Sequence, residues 1–403
     1  MKINQWTLSL LSLGAISLPS VVQADEAPSP LSPLLTAVSK TTLSGYVDTS
    51  ATWMTGTGNA NLPGRVYDGP DTQDGFNLNL VSLTLDKPLD ETSWAAGYHV
   101  QMIMGPFAAK RGTGMINPVS TPSGPAPASS VTEFAFNEAY VALRVPVGNG
   151  IDFKIGQYGT YNGFEAFDSY KDPNWSRSYG FFIETSAHTG ISASYKVNDM
   201  FSVQGGIGNV GPYNSQVNAK SSSESSKAYL GMVTFTAPES FGFAKGASIS
   251  GGYTVGPANG ANSSRVNQMY IGGTIPTPLK ELSLGIAYDY AANIVGKSTY
   301  ANATALYVIY QATEKLKLNT RLDYASGTEG SYGYAAVASS HPRNELFAAT
   351  LTADYSLWKN VLSRAELRWD HSLTGDKIYG GTVAGAPDKR NALSLTGNLV
   401  YMF

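Results

Sequence analysis

Apolar and polar side chains alternate residue by residue along most of the chain, in short stretches separated by polar, glycine- or proline-containing clusters. In Leu282-Ser-Leu-Gly-Ile-Ala-Tyr-Asp-Tyr290 the even positions are apolar or aromatic and the odd ones small or polar. Leu316, Leu318, Leu322 and Tyr324 share one phase, and Lys317, Asn319, Arg321 and Asp323 take the other. From Val361 to Trp369, Ala365, Leu367 and Trp369 oppose Arg364, Glu366 and Arg368. A period of two means an extended strand whose two faces meet different surroundings. Sixteen such segments are predicted: 42–53, 75–86, 92–103, 131–145, 150–159, 184–196, 200–209, 227–236, 247–256, 265–275, 281–291, 300–311, 315–326, 345–356, 361–371 and 391–403. Within 75–86 the phase breaks near Leu80-Val81, which predicts a bulge.

A soluble sandwich would alternate in the same way, so the connections decide between the two. Odd-numbered connections are long (54–74, 104–130, 160–183, 210–226, 292–299, 327–344, 372–390). Even-numbered ones are short, as in Lys87–Asp90, Asn198-Asp199 and Thr313-Glu314, with 237–246 as the longer exception. Short periplasmic turns alternating with long external loops are expected of an outer-membrane barrel, whereas a sandwich has no reason to keep that parity. The fold class is therefore all-β: a transmembrane antiparallel β-barrel of about 16 strands. An even count puts both ends on the periplasmic side, and lipid tolerates no open sheet edge, so the last strand must pair with the first.

The N-terminus reads differently. Lys2, the apolar run Trp6–Leu18 and the small-x-small site Val22-Gln23-Ala24 have the layout of a cleaved secretory signal peptide over 1–24. The run is shorter than the ~18 residues of a membrane-spanning helix. Residues 25–40 are proline-rich and form a periplasmic lead-in, and 41–403 form the barrel. Only 14% of residues are charged, against about 25% in a typical soluble domain. The 42 glycines and 24 tyrosines suit a barrel with aromatic interfaces. Zero cysteines exclude a disulfide framework and thiolate metal sites. Losing Lys2 with the signal moves the net charge from −3 to −4, too mild to imply nucleic acid as a partner. No cofactor is expected.

Two resemblances add to this. The C-terminal Phe403, with Tyr401 and Leu399 at two-residue steps, resembles the signal that the barrel-assembly machinery reads in outer-membrane proteins. The order Leu43–Asp48, Asn137–Val141, Ile151–Gln157, Asn174–Ser178 and His188–Tyr195 resembles the OmpL-like β-barrel porin family over most of the mature chain. That resemblance implies a porin embedded in outer-membrane lipid, passing small hydrophilic solutes or ions. Analogy with porins of this size suggests a homotrimer. The family brings no catalytic or ligand residues to carry over.

Sixteen strands enclose an aqueous channel, and the inward phase supplies its candidate lining. Asp48, Glu138, Asp152, Asp323, Glu366 and Asp370 are acidic, and Arg144, Lys154, Lys317, Arg321, Arg364 and Arg368 are basic. Neither sign dominates, which fits either a mutually paired wall or a transverse field that tunes ion preference. Connection 160–183 is the candidate constriction loop, with Glu165, Asp168 and Arg177 as its charges and Phe164, Phe167 and Trp175 as anchors. On this reading Glu165 and Asp168 face Arg364 and Arg368. The alternatives are a non-conducting structural or adhesive barrel and, with less support, a barrel hydrolase. None of His99, His188, His341 and His371 lies in an HExxH or GxSxG context. His188 shares a phase with Glu184 and Ser186, but a catalytic pair would need a partner from another strand. A receptor barrel of 22 strands with a plug domain is excluded by length.

Overall fold

The computed structural model describes residues 40–56, 58–68, 74–90, 94–111, 133–209, 225–257, 265–294, 296–332 and 343–403. The signal peptide, the lead-in up to residue 39 and His341 lie outside them. Every predicted segment contains a strand, with residues 92–93 and 131–132 outside the described residues and 184–186 outside the sixth strand. In chain order the first eight are β1 (Thr42–Met54), β2 (Gly75–Lys87), β3 (Ala95–Met104), β4 (Phe134–Val145), β5 (Ile151–Gly159), β6 (Ala187–Lys196), β7 (Phe201–Gly208) and β8 (Ala228–Thr236). The second eight are β9 (Ser248–Pro257), β10 (Arg265–Pro276), β11 (Leu282–Ala292), β12 (Tyr300–Gln311), β13 (Leu316–Thr328), β14 (Arg343–Trp358), β15 (Val361–Ser372) and β16 (Asn391–Met402). Each pairs antiparallel with its neighbours in sequence, and β1 pairs with β16, so the sheet closes with no free edge.

The alternation now has a physical reading. Leu284, Ile286, Leu306, Val308, Leu318, Leu322, Leu367, Leu395 and Leu399 are exposed on the outer wall. Their intervening neighbours point inward. Exposed aromatics gather at both rims, with Trp53 and Phe76 at the long-loop end and Trp94, Trp358 and Tyr401 at the short-turn end, as in the girdles of membrane barrels. The longer exception at 237–246 contains a short 3-10 helix, Glu239–Ala244.

The phase break in β2 is a bulge. Asp48 pairs with Leu80 and Thr49 with Leu78, leaving Asn79 as the extra residue. Asn79 Nδ2 donates to Asp48 Oδ1 at 2.8 Å, and its Oδ1 accepts from Ser50 Oγ at 3.0 Å. A second bulge follows the same logic in β4. Gln101 pairs with Glu138 and Met102 with Phe136, leaving Asn137 to donate to Gln101 Oε1 at 2.5 Å. Each extra residue is an asparagine turned inward, where its amide pairs with buried polar side chains of the neighbouring strand.

At the closing seam Gly45 and Phe403 exchange two backbone hydrogen bonds of 2.9 Å. The Phe403 ring lies over Gly45 so closely that a Cβ there would sit 2.6 Å from its Cζ and 2.3 Å from the Ser82 carbonyl oxygen. A larger residue would press on the β2 backbone and displace the Phe403 ring.

Two short helices belong to connections: α1 (Pro106–Arg111) after β3, and α2 (Tyr179–Ile183) between β5 and β6. Ser178 caps α2 by accepting from the Phe181 N–H at 3.2 Å. The inward row Ala291, Ala301, Ala303, Ala325 and Ala348 leaves space on β11 to β14, and Tyr179 and Ile183 of α2 fill it. Part of the barrel interior is thus a packed core.

Candidate functional site

The connection between β5 and β6, residues 160–186, lies inside the barrel. Asn162 Nδ2 donates to Thr254 Oγ1 of β9 at 3.0 Å. Phe164 then stacks on Tyr307 of β12, with centroids 4.2 Å apart. Further on, Ser169 Oγ donates to Asp48 Oδ2 of β1 at 3.0 Å. Asn174 Nδ2 donates to Thr352 Oγ1 of β14 at 2.7 Å. Trp175 packs with Tyr46, Leu80 and Ile103, and Phe167 meets Tyr67 edge-on at 5.4 Å. The return limb is α2, after which the Thr185 N–H donates to Gln268 Oε1 of β10 at 3.1 Å.

Three wall arginines hold this segment by its main chain. Arg321 Nη1 donates to the Ser176 carbonyl at 2.5 Å, Arg364 Nη1 to the Ser169 carbonyl at 2.8 Å, and Arg368 Nη1 to the Arg177 carbonyl at 2.5 Å. Glu366 works in the opposite sense, accepting from the N–H groups of Trp175 and Ser176 at 2.7 and 3.1 Å. Carbonyls and N–H groups of an irregular segment inside a barrel need partners, and charged side chains give the stronger bonds.

This corrects the expectation that Glu165 and Asp168 face Arg364 and Arg368. Glu165 pairs with Arg321 at 2.8 Å. Asp168 pairs with Lys171 of its own segment at 2.7 Å and accepts from Tyr46 and Gln101 at 2.9 Å. Arg364 is occupied by Ser169 and by Asn398 Oδ1 at 2.9 Å, and Arg368 by Asp370 at 3.1 Å. The wall reaches main-chain oxygens first, because the segment lies flat against it. Arg177 is not a free charge either, since it pairs with Asp172 at 3.1 Å and donates to the Phe167 carbonyl at 2.5 Å.

Burial sets the acids of the segment apart. Burial pushes the Asp172 carboxyl up to about 7, although Arg177 stands beside it. Burial, reinforced by Asp289 and Glu165, raises Glu184 well above the usual carboxylate range. Burial also works on Asp168, but Lys171 and the bonds from Gln101 and Tyr46 hold it below its ordinary value.

All twelve predicted lining residues sit on the inward phase, yet they fall into two groups. Asp48, Arg321, Asp323, Arg364, Glu366, Arg368 and Asp370 are buried beneath the inserted segment, each at most 3% exposed. Glu138, Arg144, Asp152, Lys154 and Lys317 remain half-buried and reachable. Arg144 and Asp152 form a bidentate pair of 2.6 Å near the short-turn rim. Beside β4 and β5, cavities of about 180 and 320 Å³ share the lining residues Glu138, Gly159, Thr160 and Tyr161. A third, of about 340 Å³, lies between Lys171-Asp172-Pro173 and β9 to β10.

Sequence reading missed Arg65, which reaches in from the first long connection to Asp370 at 2.6 Å and Asp68 at 2.9 Å. A buried arginine in a loop leaves no periodic trace. It also missed Asp289, although the odd phase of 282–290 already turned that residue inward. The histidine arrangement is unlike the one considered. Glu184 ends α2 and lies outside the strand, while His188 Nε2 meets Thr185 Oγ1 at 3.1 Å. His99 meets Asp86 at 2.9 Å and stacks on Tyr140, and His371 meets Asn391 at 2.7 Å.

A closed sixteen-strand barrel with an apolar outer wall, aromatic rims and a polar interior crossed by a loop defines an outer-membrane protein of the porin class. The family described as "Putative beta-barrel porin-2, OmpL-like" matches residues 40–403, and the chain belongs to it. Similar solved structures include an anion-selective porin from Comamonas acidovorans, at TM-score 0.56 and 14% identity over 90% of this chain and 99% of that one. OprB of Pseudomonas putida is similar at TM-score 0.54 and 12% identity, over 93% and 96% of the two chains. OmpT of Vibrio cholerae in its trimer form is similar at TM-score 0.52 and 13% identity, over 90% and 99%. At these identities the likeness is one of fold. No curated protein matches the chain.

Proposed function

We propose that the barrel is a water-filled channel for passive diffusion of small hydrophilic solutes or ions, narrowed by segment 160–186. The observation that carries this reading is the fixed crossing of the lumen by that segment, which is anchored through Arg321, Arg364 and Arg368 and leaves polar cavities on the opposite side. A barrel whose task was purely structural could fill its interior evenly. The partly exposed charges Glu138 and Lys154 instead line open space. Planar-bilayer recording in KCl tests the proposal: stepwise current and liposome swelling with small sugars are expected, and silence in both overturns it.

Three further parts of the reading travel with it. Residues 1–24 act as a signal peptide removed on export, so the inserted protein should begin at Asp25. Leu399, Tyr401 and Phe403 present the barrel-assembly machinery with its docking strand. The barrel assembles as a homotrimer, as the trimer form of the similar OmpT suggests. Cross-linking in outer-membrane vesicles distinguishes trimer from monomer.

A further inference from the structure

We infer that permeating ions and solutes pass between the root of the inserted segment and the β4–β5 wall, and that Glu138 and Lys154, not the arginine row, set the ion preference. The inference rests on the porin reading and assigns its selectivity residues.

The charges along the far wall are spent. Arg321, Arg364 and Arg368 are at most 3% exposed, and each donates to a main-chain carbonyl of the segment. Arg321 and Arg368 are further neutralised by Asp323 and Asp370. A buried charge with its counter-charge in contact projects little field into the lumen. The near wall is different. Lys154 makes no ion pair among the described residues, and its Nζ stands 4.7 Å from the Tyr140 ring centroid. Glu138 lines both adjoining cavities at the place where they meet. Arg111 lies at the outer end, its Nε donating to Asn137 Oδ1 at 2.7 Å. Arg111 is itself buried, so a permeating ion meets Glu138 and then Lys154 as the reachable charges. Low-dielectric walls focus the field of such charges on the ion.

The chain contains no cysteine, so a single introduced thiol reports its own accessibility. Ser194→Cys on β6 places one in the 320 Å³ cavity. Labelling it with a charged methanethiosulfonate should lower single-channel conductance by about twofold or more. Ala348→Cys on β14, buried against α2, is the covered control, and the same reagent should leave its current unchanged. Lys154→Glu should move the zero-current potential in a KCl gradient toward cations, and Glu138→Gln toward anions. If Ser194→Cys does not insert, Gln204→Cys probes the same cavity from β7. A conducting protein in which labelling at both positions leaves the current intact, or in which neither charge substitution moves the potential, overturns the inference. A wild-type protein that carries no current overturns the porin reading itself.

Discussion

Glu165 on the inserted segment and Arg321 on β13 meet at 2.8 Å with both side chains buried, across 156 positions of sequence. The same carboxylate accepts from the Ser178 N–H at 2.8 Å and the Tyr307 hydroxyl at 3.1 Å. One side chain thus ties the outgoing limb of the segment to its return limb and both to the wall. Glu165→Met should loosen docking by about 3 kcal/mol, because it leaves Asp323 as the only carboxylate paired with the buried arginine. The expected readout is a larger, noisier single-channel current and faster proteolysis within 160–186. A quiet channel of unchanged size would count against the role.

Docking should also depend on pH, in a direction set by Asp172. Its carboxyl rises from 3.8 to about 7 on burial, next to Arg177 and near Glu165 and Arg364. A group that binds its proton more tightly when docked favours docking fully below its ordinary value and loses that contribution as pH rises through the docked one. Glu184 is raised as well, so it acts in the same direction. Protection of the segment from protease should therefore fall as pH rises from about 4 through about 7. Asp172→Asn should flatten the profile, and an unaltered slope in that variant would assign the effect elsewhere.

The seam between the termini makes a prediction about assembly. Gly45→Val would press a side chain into the Ser82 carbonyl and the Phe403 ring. Less folded, heat-modifiable barrel is expected, and deletion of Phe403 should have the same effect by removing two seam hydrogen bonds. Full insertion of the deleted form would show that the seam closes without it.

The bulge at Asn79 can be tested by its hydrogen bonds. Asn79→Ala removes a donor to the buried Asp48 and an acceptor for Ser50, which should cost about 1–3 kcal/mol. Urea unfolding from lipid vesicles measures the loss. Asn398, which also donates to Asp48 at 2.6 Å, keeps the carboxylate from being stranded.

The strands, their phase and the bulge near Leu80 were legible because each is local: period two needs only neighbouring residues, and a bulge is a slip in it. Connection 160–183 stood out by its length, its place after the fifth strand and its Phe and Trp anchors. What alternation cannot say is whether an inward residue meets water or protein. Lys154 and Arg321 look alike in sequence, yet only Arg321 lies under the segment. The signal that could have separated them is the run of small inward residues at 291, 301, 303, 325 and 348, which makes room for a packed helix. Partnerships such as Arg65 with Asp370, 305 positions apart, exist only after closure.

The arginines grip carbonyl oxygens of Ser169, Ser176 and Arg177, and every residue type offers that atom in the same place. That main-chain part of the fastening is indifferent to the side chains mounted on the segment, unlike the ties made by Glu165, Ser169 and Asn174. Mutation at Tyr161, which lines both cavities beside β4 and β5, can reshape the aperture while the clasp holds. Bore and scaffold are separable traits in this barrel, free to drift at different speeds and open to redesign one at a time.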